Sequence, residues 1–307
     1  MRPGRSIWAT ALAALALFIA PAAAKASGQV FFGGWYDSAI GSVNSDGSEP
    51  QPNLIVNDET VPLGMAVDGD YLYWESNSAG VKIGRSRLDG SEADIELVGT
   101  DGGPPDSDGV SISGGRVYWT EKRNSTGFGP LYLSSANLDG SDPQVRFLSL
   151  GTNAAGTAFV SGSYVFYVIQ KDVRGVERYS IARSRLDGKG SRRIIAANRP
   201  YAAEGLLGTA SHVYWVEENP YAGGDQELFI ARASVNASSL NTRWRRIPRK
   251  GCHVKDGAGG IALGGRYLFI GCPGGDVDRV SLGRRARLKT LVTGAKLSSG
   301  PVLAATP

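Results

Sequence analysis

One unit, written most plainly between Tyr71 and Ser91, recurs along the chain and constrains its fold more than any other feature. An apolar and aromatic run is followed by a loop and by a second run that closes on Leu-Asp-Gly-Ser. Both runs have the composition of strands, and Asp-Gly between such runs signals a tight β-turn. The aromatic that ends each first run forms a column: Phe32, Trp74, Trp119, Tyr167, Trp215 and Phe269. Its members lie about 40 to 55 residues apart, the interval of propeller blades. The second run supplies an independent column, Ile40, Ile83, Leu133, Ile181, Ile230 and Val277. A small or short residue follows each: Gly41, Gly84, Ser134, Ala182, Ala231 and Asp278. An arginine stands one place beyond that in four copies, at Arg85, Arg183, Arg232 and Arg279.

A further strand precedes each aromatic run, as at Met65-Ala66-Val67, Val110-Ser111-Ile112 and Ile261-Ala262-Leu263. Glycines open it at Gly64, Gly109, Gly205 and Gly259, and small residues suit an innermost strand crowded around a central axis. A fourth strand follows each Asp-Gly turn, as in Ile95 to Val98 and Leu288 to Leu291. Four strands in six copies predict an all-β, six-bladed β-propeller, one domain over residues 27–307. The first copy begins at Val30-Phe31-Phe32 with no innermost strand, whereas Gly300 to Ala305 is a strand with nothing after it. The C-terminal strand is therefore expected to pair into blade 1 and close the ring, removing an open edge.

Residues 1–26 have the form of a signal peptide: Arg2 and Arg5, the apolar stretch Ile7 to Ala20, then a small-residue cleavage site at Ala22-Ala23-Ala24 or Ala24-Lys25-Ala26. That stretch is shorter than the ~20 residues a membrane-spanning helix needs, so no integral membrane segment is expected once it is removed. The protein is expected to be secreted, periplasmic or held in the cell envelope, as a monomer. The formal net charge is only +4, and part of it leaves with Arg2 and Arg5, so nothing argues for a nucleic-acid partner. Cys252 and Cys272 are the two cysteines, and in an oxidising compartment they are expected to form a disulfide. A loop of that size stabilises by about 3 kcal/mol if unstrained.

The motifs Tyr73-Trp74-Glu75-Ser76, Tyr118-Trp119-Thr120-Glu121 and Tyr214-Trp215-Val216-Glu217 resemble the YWTD repeat of low-density-lipoprotein-receptor-type propellers. The tails Ile83 to Gly90 and Ile181 to Gly188 are similar to that repeat as well. The resemblance covers essentially the whole chain after residue 26. It implies an extracellular, ligand-binding propeller with blade-to-blade contacts from the acidic fourth position, matched here at Glu121 and Glu217. The Cys-rich modules that flank receptor propellers are absent, so a receptor role does not follow.

With strands so arranged, one face carries tight turns and the other the long connections 99–109, 121–130, 169–179, 217–227 and 249–259. Varied loops on a rigid scaffold are where binding usually resides. Trp35, Tyr36, Asn153, Tyr201, Glu204, Tyr221 and His253 are the candidate ligand contacts there, with aromatic rings suited to stacking on sugars or holding a peptide. Leu63, Asp108, Gly156, Glu204 and Ala258 are expected just before the innermost strands, around the channel mouth. Asp106, Asp108, Glu204 and Asp256 would offer hard oxygen ligands to Ca²⁺, the one cofactor the sequence suggests, although their spacing matches no dedicated calcium loop. His253, with Asp256 to orient it, is the candidate general base. The basic outer strands, with Arg243, Arg245, Arg246 and Lys289, read first as protection of exposed sheet edges and second as a patch for an anionic polymer.

The scarcity of convergent titratable groups favours a non-enzymatic propeller that binds a glycan, a peptide or a protein. The alternative is a divalent-cation-dependent hydrolase or lyase, lactonase-like in outline, with its site at the channel mouth.

Overall fold

A computed structural model of the chain describes residues 28–34, 38–56, 62–77, 80–100, 109–122, 129–200, 202–218, 228–247, 260–272, 275–283, 288–293 and 302–306. The expected signal segment lies outside these. The described residues form six four-stranded antiparallel sheets arranged as the blades of a propeller. Blade 2 runs outward from the axis as Pro62–Asp68, Tyr71–Asn77, Val81–Arg87 and Asp94–Gly99. Blade 3 follows with Ser111–Ser113, Arg116–Lys122, Leu131–Asn137 and Gln144–Gly151. Blade 4 comprises Ala154–Ser161, Tyr164–Asp172, Glu177–Arg185 and Arg193–Arg199. Ala202–Gly208, His212–Glu218, Leu228–Ser234 and Leu240–Ile247 make blade 5, and Ile261–Gly264, Tyr267–Cys272, Asp276–Ser281 and Leu288–Val292 make blade 6.

Blade 1 is assembled from both ends of the chain. Gln29–Gly33, Ala39–Asn44 and Gln51–Val56 are its outer three strands, and Val302–Ala305 is its innermost. Val30 pairs with Ala305, Phe32 with Leu303 and Gly33 with Val302, as the unmatched ends of the sequence predict.

The core is divided into six apolar clusters, one at each junction between neighbouring blades. Alternation along a strand explains this division, because successive side chains face opposite neighbours. Trp74 packs towards blade 1 beside Phe31 and Ile40, while Tyr73 packs towards blade 3 beside Val117 and Trp119. Trp74, Trp119 and Trp215 are fully buried. Small residues are required opposite them: Trp74 pairs with Gly84, and a Cβ on Gly84 would lie 2.3 Å from the indole.

One column needs correction. Phe269 pairs with Arg279 and faces blade 1, the place held by Tyr73 in blade 2, where Tyr73 pairs with Arg85. Ile270, facing blade 5 and paired with Asp278, takes the place of Trp74. The sixth copy is thus displaced by one residue in its second strand, while Val277 keeps its column.

The arginine column has a structural purpose on the tight-turn face. Arg85 donates to the Leu138 carbonyl at 3.0 Å, joined there by the Tyr73 hydroxyl at 3.1 Å. Arg183 donates to the Val235 carbonyl at 2.6 Å, and Arg279 to the Ser45 carbonyl. Each acceptor lies in the turn of the next blade. Arg232 stacks on Trp244 instead, and Arg245 bonds the Gly283 carbonyl at 2.7 Å to join blades 5 and 6. These bonds give Arg245 a structural purpose beyond edge protection.

Candidate functional site

The turns of the strapped face are rigid by local chemistry. Asp46, Asp89 and Asp139 each accept from the backbone and hydroxyl of a serine two residues on. Those bonds hold the three carboxyls below the ordinary carboxylate range. The Arg185 guanidinium takes Asp187 down to about 2. His212 opens its strand beside one of these turns, and burial lowers its ring below the usual histidine value.

The opposite face is tied between blades by buried carboxylates. Glu217, 3% exposed, receives Arg199 of blade 4 through Nε at 2.9 Å and Nη2 at 3.0 Å. It also accepts from Trp215 Nε1 at 3.2 Å. Glu121 is buried and accepts from Thr100 of blade 2 at 3.2 Å, from Arg146 at 3.3 Å and from Ser134. Thr100 and Arg199 stand where the chain leaves one blade for the next, so these bonds fix the feet of the inter-blade connections. The acids at the fourth motif position therefore do make blade-to-blade contacts. Arg199 belongs to no column of the sequence, so no repeat position points to it.

Three expected positions on this face shift. Leu63, Gly156 and Glu204 lie inside innermost strands and not before them, because Pro62–Asp68, Ala154–Ser161 and Ala202–Gly208 begin early. Each of these strands carries a register shift there, between Pro62 and Gly64, Ala155 and Ala158, and Glu204 and Leu207. A bulge adds a residue without ending the ladder, which the sequence pattern reads as a loop. Glu204 pairs with Val216 inside its strand.

The segment 169–179 is likewise no loop. Tyr164–Asp172 and Glu177–Arg185 continue through it as a hairpin closed by a two-residue turn at Arg174 and Gly175, both at positive φ. Asn153 is exposed at its foot, and its carbonyl accepts from the Gln170 amide at 2.8 Å. Trp35, Tyr36, Tyr201, Tyr221, His253, Asp106, Asp108, Asp256 and Cys252 lie outside the described residues. Among the described residues, no group of three or more His, Cys, Asp or Glu side chains is placed to hold a metal ion. Nor is any described helix long and apolar enough to cross a membrane.

Blade 6 buries a carboxylate at Asp278, a position that the sequence placed only in the column of small or short residues. Asp278 is 0% exposed, burial raises its carboxyl, and its Oδ1 has no hydrogen-bond partner. Its Oδ2 lies 3.8 Å from Cys272 Sγ.

No family model and no curated protein matches the chain. Solved structures do match. The periplasmic gluconolactonase PpgL of Pseudomonas aeruginosa aligns at 11% identity with a TM-score of 0.56, over 91% of this chain and 99% of that one. A protein of Agrobacterium tumefaciens assigned as TolB aligns at 11% identity with a TM-score of 0.49, over 70% of this chain and 87% of that one. The PpgL likeness bears out the propeller fold.

Proposed function

We propose that this is an exported propeller whose long-loop face binds a ligand, a glycan, a peptide or a partner protein. The observation that supports the reading is the contrast between its two faces. One is closed by short Asx turns and arginine straps, and the other carries the inter-blade connections over a base fixed by Glu121 and Glu217. A rigid frame beneath variable connections suits recognition, because little order is lost on binding. The repeat is read as the YWTD type and Cys252 is read as bonded to Cys272, both in keeping with export. Alanine at Tyr36, Tyr201 and Tyr221 tests the reading by titration against glycan and peptide arrays. Weakened binding to whatever wild type captures is expected, and undiminished binding would defeat it.

A second reading is a cation-dependent lactonase-type hydrolase at the channel mouth, with Asp106, Asp108, Glu204 and Asp256 as ligands and His253 as base. Its support is the acidic residue set together with the fold shared with PpgL. Melting with Ca²⁺ and with chelator separates the two, since a bound cation raises the melting temperature by mass action.

A further inference from the structure

The hairpin of blade 4 projects beyond its own sheet. Its inner neighbour begins at Ala154, opposite Ile169, and its outer neighbour ends at Arg199, opposite Tyr179. Residues 171–178 therefore pair only with each other, Lys171 with Arg178 and Asp172 with Glu177. Alternation gives this prong two unlike faces. On the side that continues into Tyr179 and the blade 5 junction, the polar groups satisfy one another. Glu177 accepts from Gln170 at 2.7 Å and from the Tyr179 hydroxyl at 2.8 Å, and Asp172 accepts from the Gly175 amide at 2.8 Å.

The side that continues into Ile169 and the blade 3 junction is different. Val173 and Val176 face solvent at 46% and 39% exposure. Lys171 and Arg178, like charges placed directly opposite, flank them, and Arg174 caps the tip. Like charges in that relation destabilise a hairpin. Among the described residues no carboxylate lies within ion-pair reach of these three cations.

We infer that this face of the hairpin docks an acidic segment of a partner protein, one carrying apolar side chains between its carboxylates. Carboxylates would relieve the repulsion between Lys171 and Arg178, and an apolar side chain would cover Val173 and Val176. An anionic membrane fits less well, since end-on approach would bring Asp172 and Glu177 against the headgroups with the cations. A sugar-acid chain offers nothing apolar to the valines. This deepens the proposed reading of the long-loop face and rests on it.

The test uses the full chain and a fluorescent synthetic peptide of alternating Glu and Leu, followed by anisotropy. Binding that weakens with salt is expected, with a loss of about tenfold or more in K171E/R178E and in V173S/V176S, and recovery of the charge-reversed variant with a Lys-Leu peptide. Thermal melts of both variants should match wild type, since all four positions lie on the overhang. Absence of peptide binding by wild type, equal binding by the variants, or capture by phosphatidylglycerol vesicles but not by the peptide would each overturn the inference. If Y201A and Y221A abolish peptide binding while the hairpin variants do not, the hairpin inference fails and the binding face stands. If the peptide binds and neither set matters, both fail.

Discussion

Arg279, in the third strand of blade 6, donates its guanidinium to the backbone carbonyl of Ser45 in the turn of blade 1. The same side chain stacks on Tyr267 at 4.2 Å. It repeats, across the seam between chain ends, what Arg85 and Arg183 do between blades that follow one another in sequence. The seam is thus bonded near the axis by Val302–Ala305 and on the tight-turn face by this arginine and by Lys289, whose Nζ donates to the Asp46 carbonyl at 2.5 Å.

Arg279→Met is expected to cost about 1.5–3 kcal/mol, the range for hydrogen bonds to charged groups. The check is the denaturant midpoint, and Arg85→Met should cost a similar amount. No change in either midpoint would mean the straps are incidental.

Glu217→Gln should destabilise by about 1–3 kcal/mol, because Arg199 would keep a half-buried charge with no carboxylate. In a double-mutant cycle, Arg199→Met should cost less when combined with Glu217→Gln than it does in wild type. Additive losses would contradict the pairing.

Gly90 and Gly69 both sit at positive φ, at +83° and +56°. A Cβ on Gly90 would meet the Leu54 carbonyl of blade 1 at 2.7 Å, whereas nothing lies within 4 Å of one on Gly69. Gly90→Ala should therefore cost about 1–3 kcal/mol more than Gly69→Ala, whose only penalty is backbone strain. Paired unfolding curves decide this.

The buried Asp278 and the turn aspartates act in opposite directions with pH. Burial raises Asp278, so its contribution is whole at low pH and is lost as pH rises through the raised value. Asp278→Asn should melt higher than wild type at about pH 8, with the gap closing towards about pH 4. Asp187 is lowered from 3.8 to about 2 by Arg185, so its contribution is present above the higher value and lost as pH falls to the lower. A gap for Asp278→Asn that is constant with pH would place the carboxyl in water.

Much of this architecture was legible in the chain because it rests on columns. The unmatched Val30-Phe31-Phe32 and Val302 to Ala305 announced their own pairing. The displacement in blade 6 was hidden because Tyr267-Leu268-Phe269-Ile270 lacks a tryptophan and Gly259-Gly260 admits either register. The hairpin at 169–179 did carry a signal, since Arg174-Gly175 between valines is a two-residue turn, but its charged composition reads as a loop. Glu217 stands in the motif's acidic column, but Arg199 belongs to no column, so only the fold could name it as the partner. Of the expected site residues, Asn153 is fully described at the rim and Glu204 is placed by its backbone inside an innermost strand.

Amide hydrogen exchange across the seam bears most directly on ring closure by the C-terminal strand. Amides of Gln29–Gly33 and Val302–Ala305 should be protected together, to the level of the innermost and second strands of blade 2. Removing residues 302–307 should abolish protection at Gln29–Gly33 along with cooperative melting. Slow exchange at Gln29–Gly33 and an unchanged melt after that deletion would contradict closure of the ring.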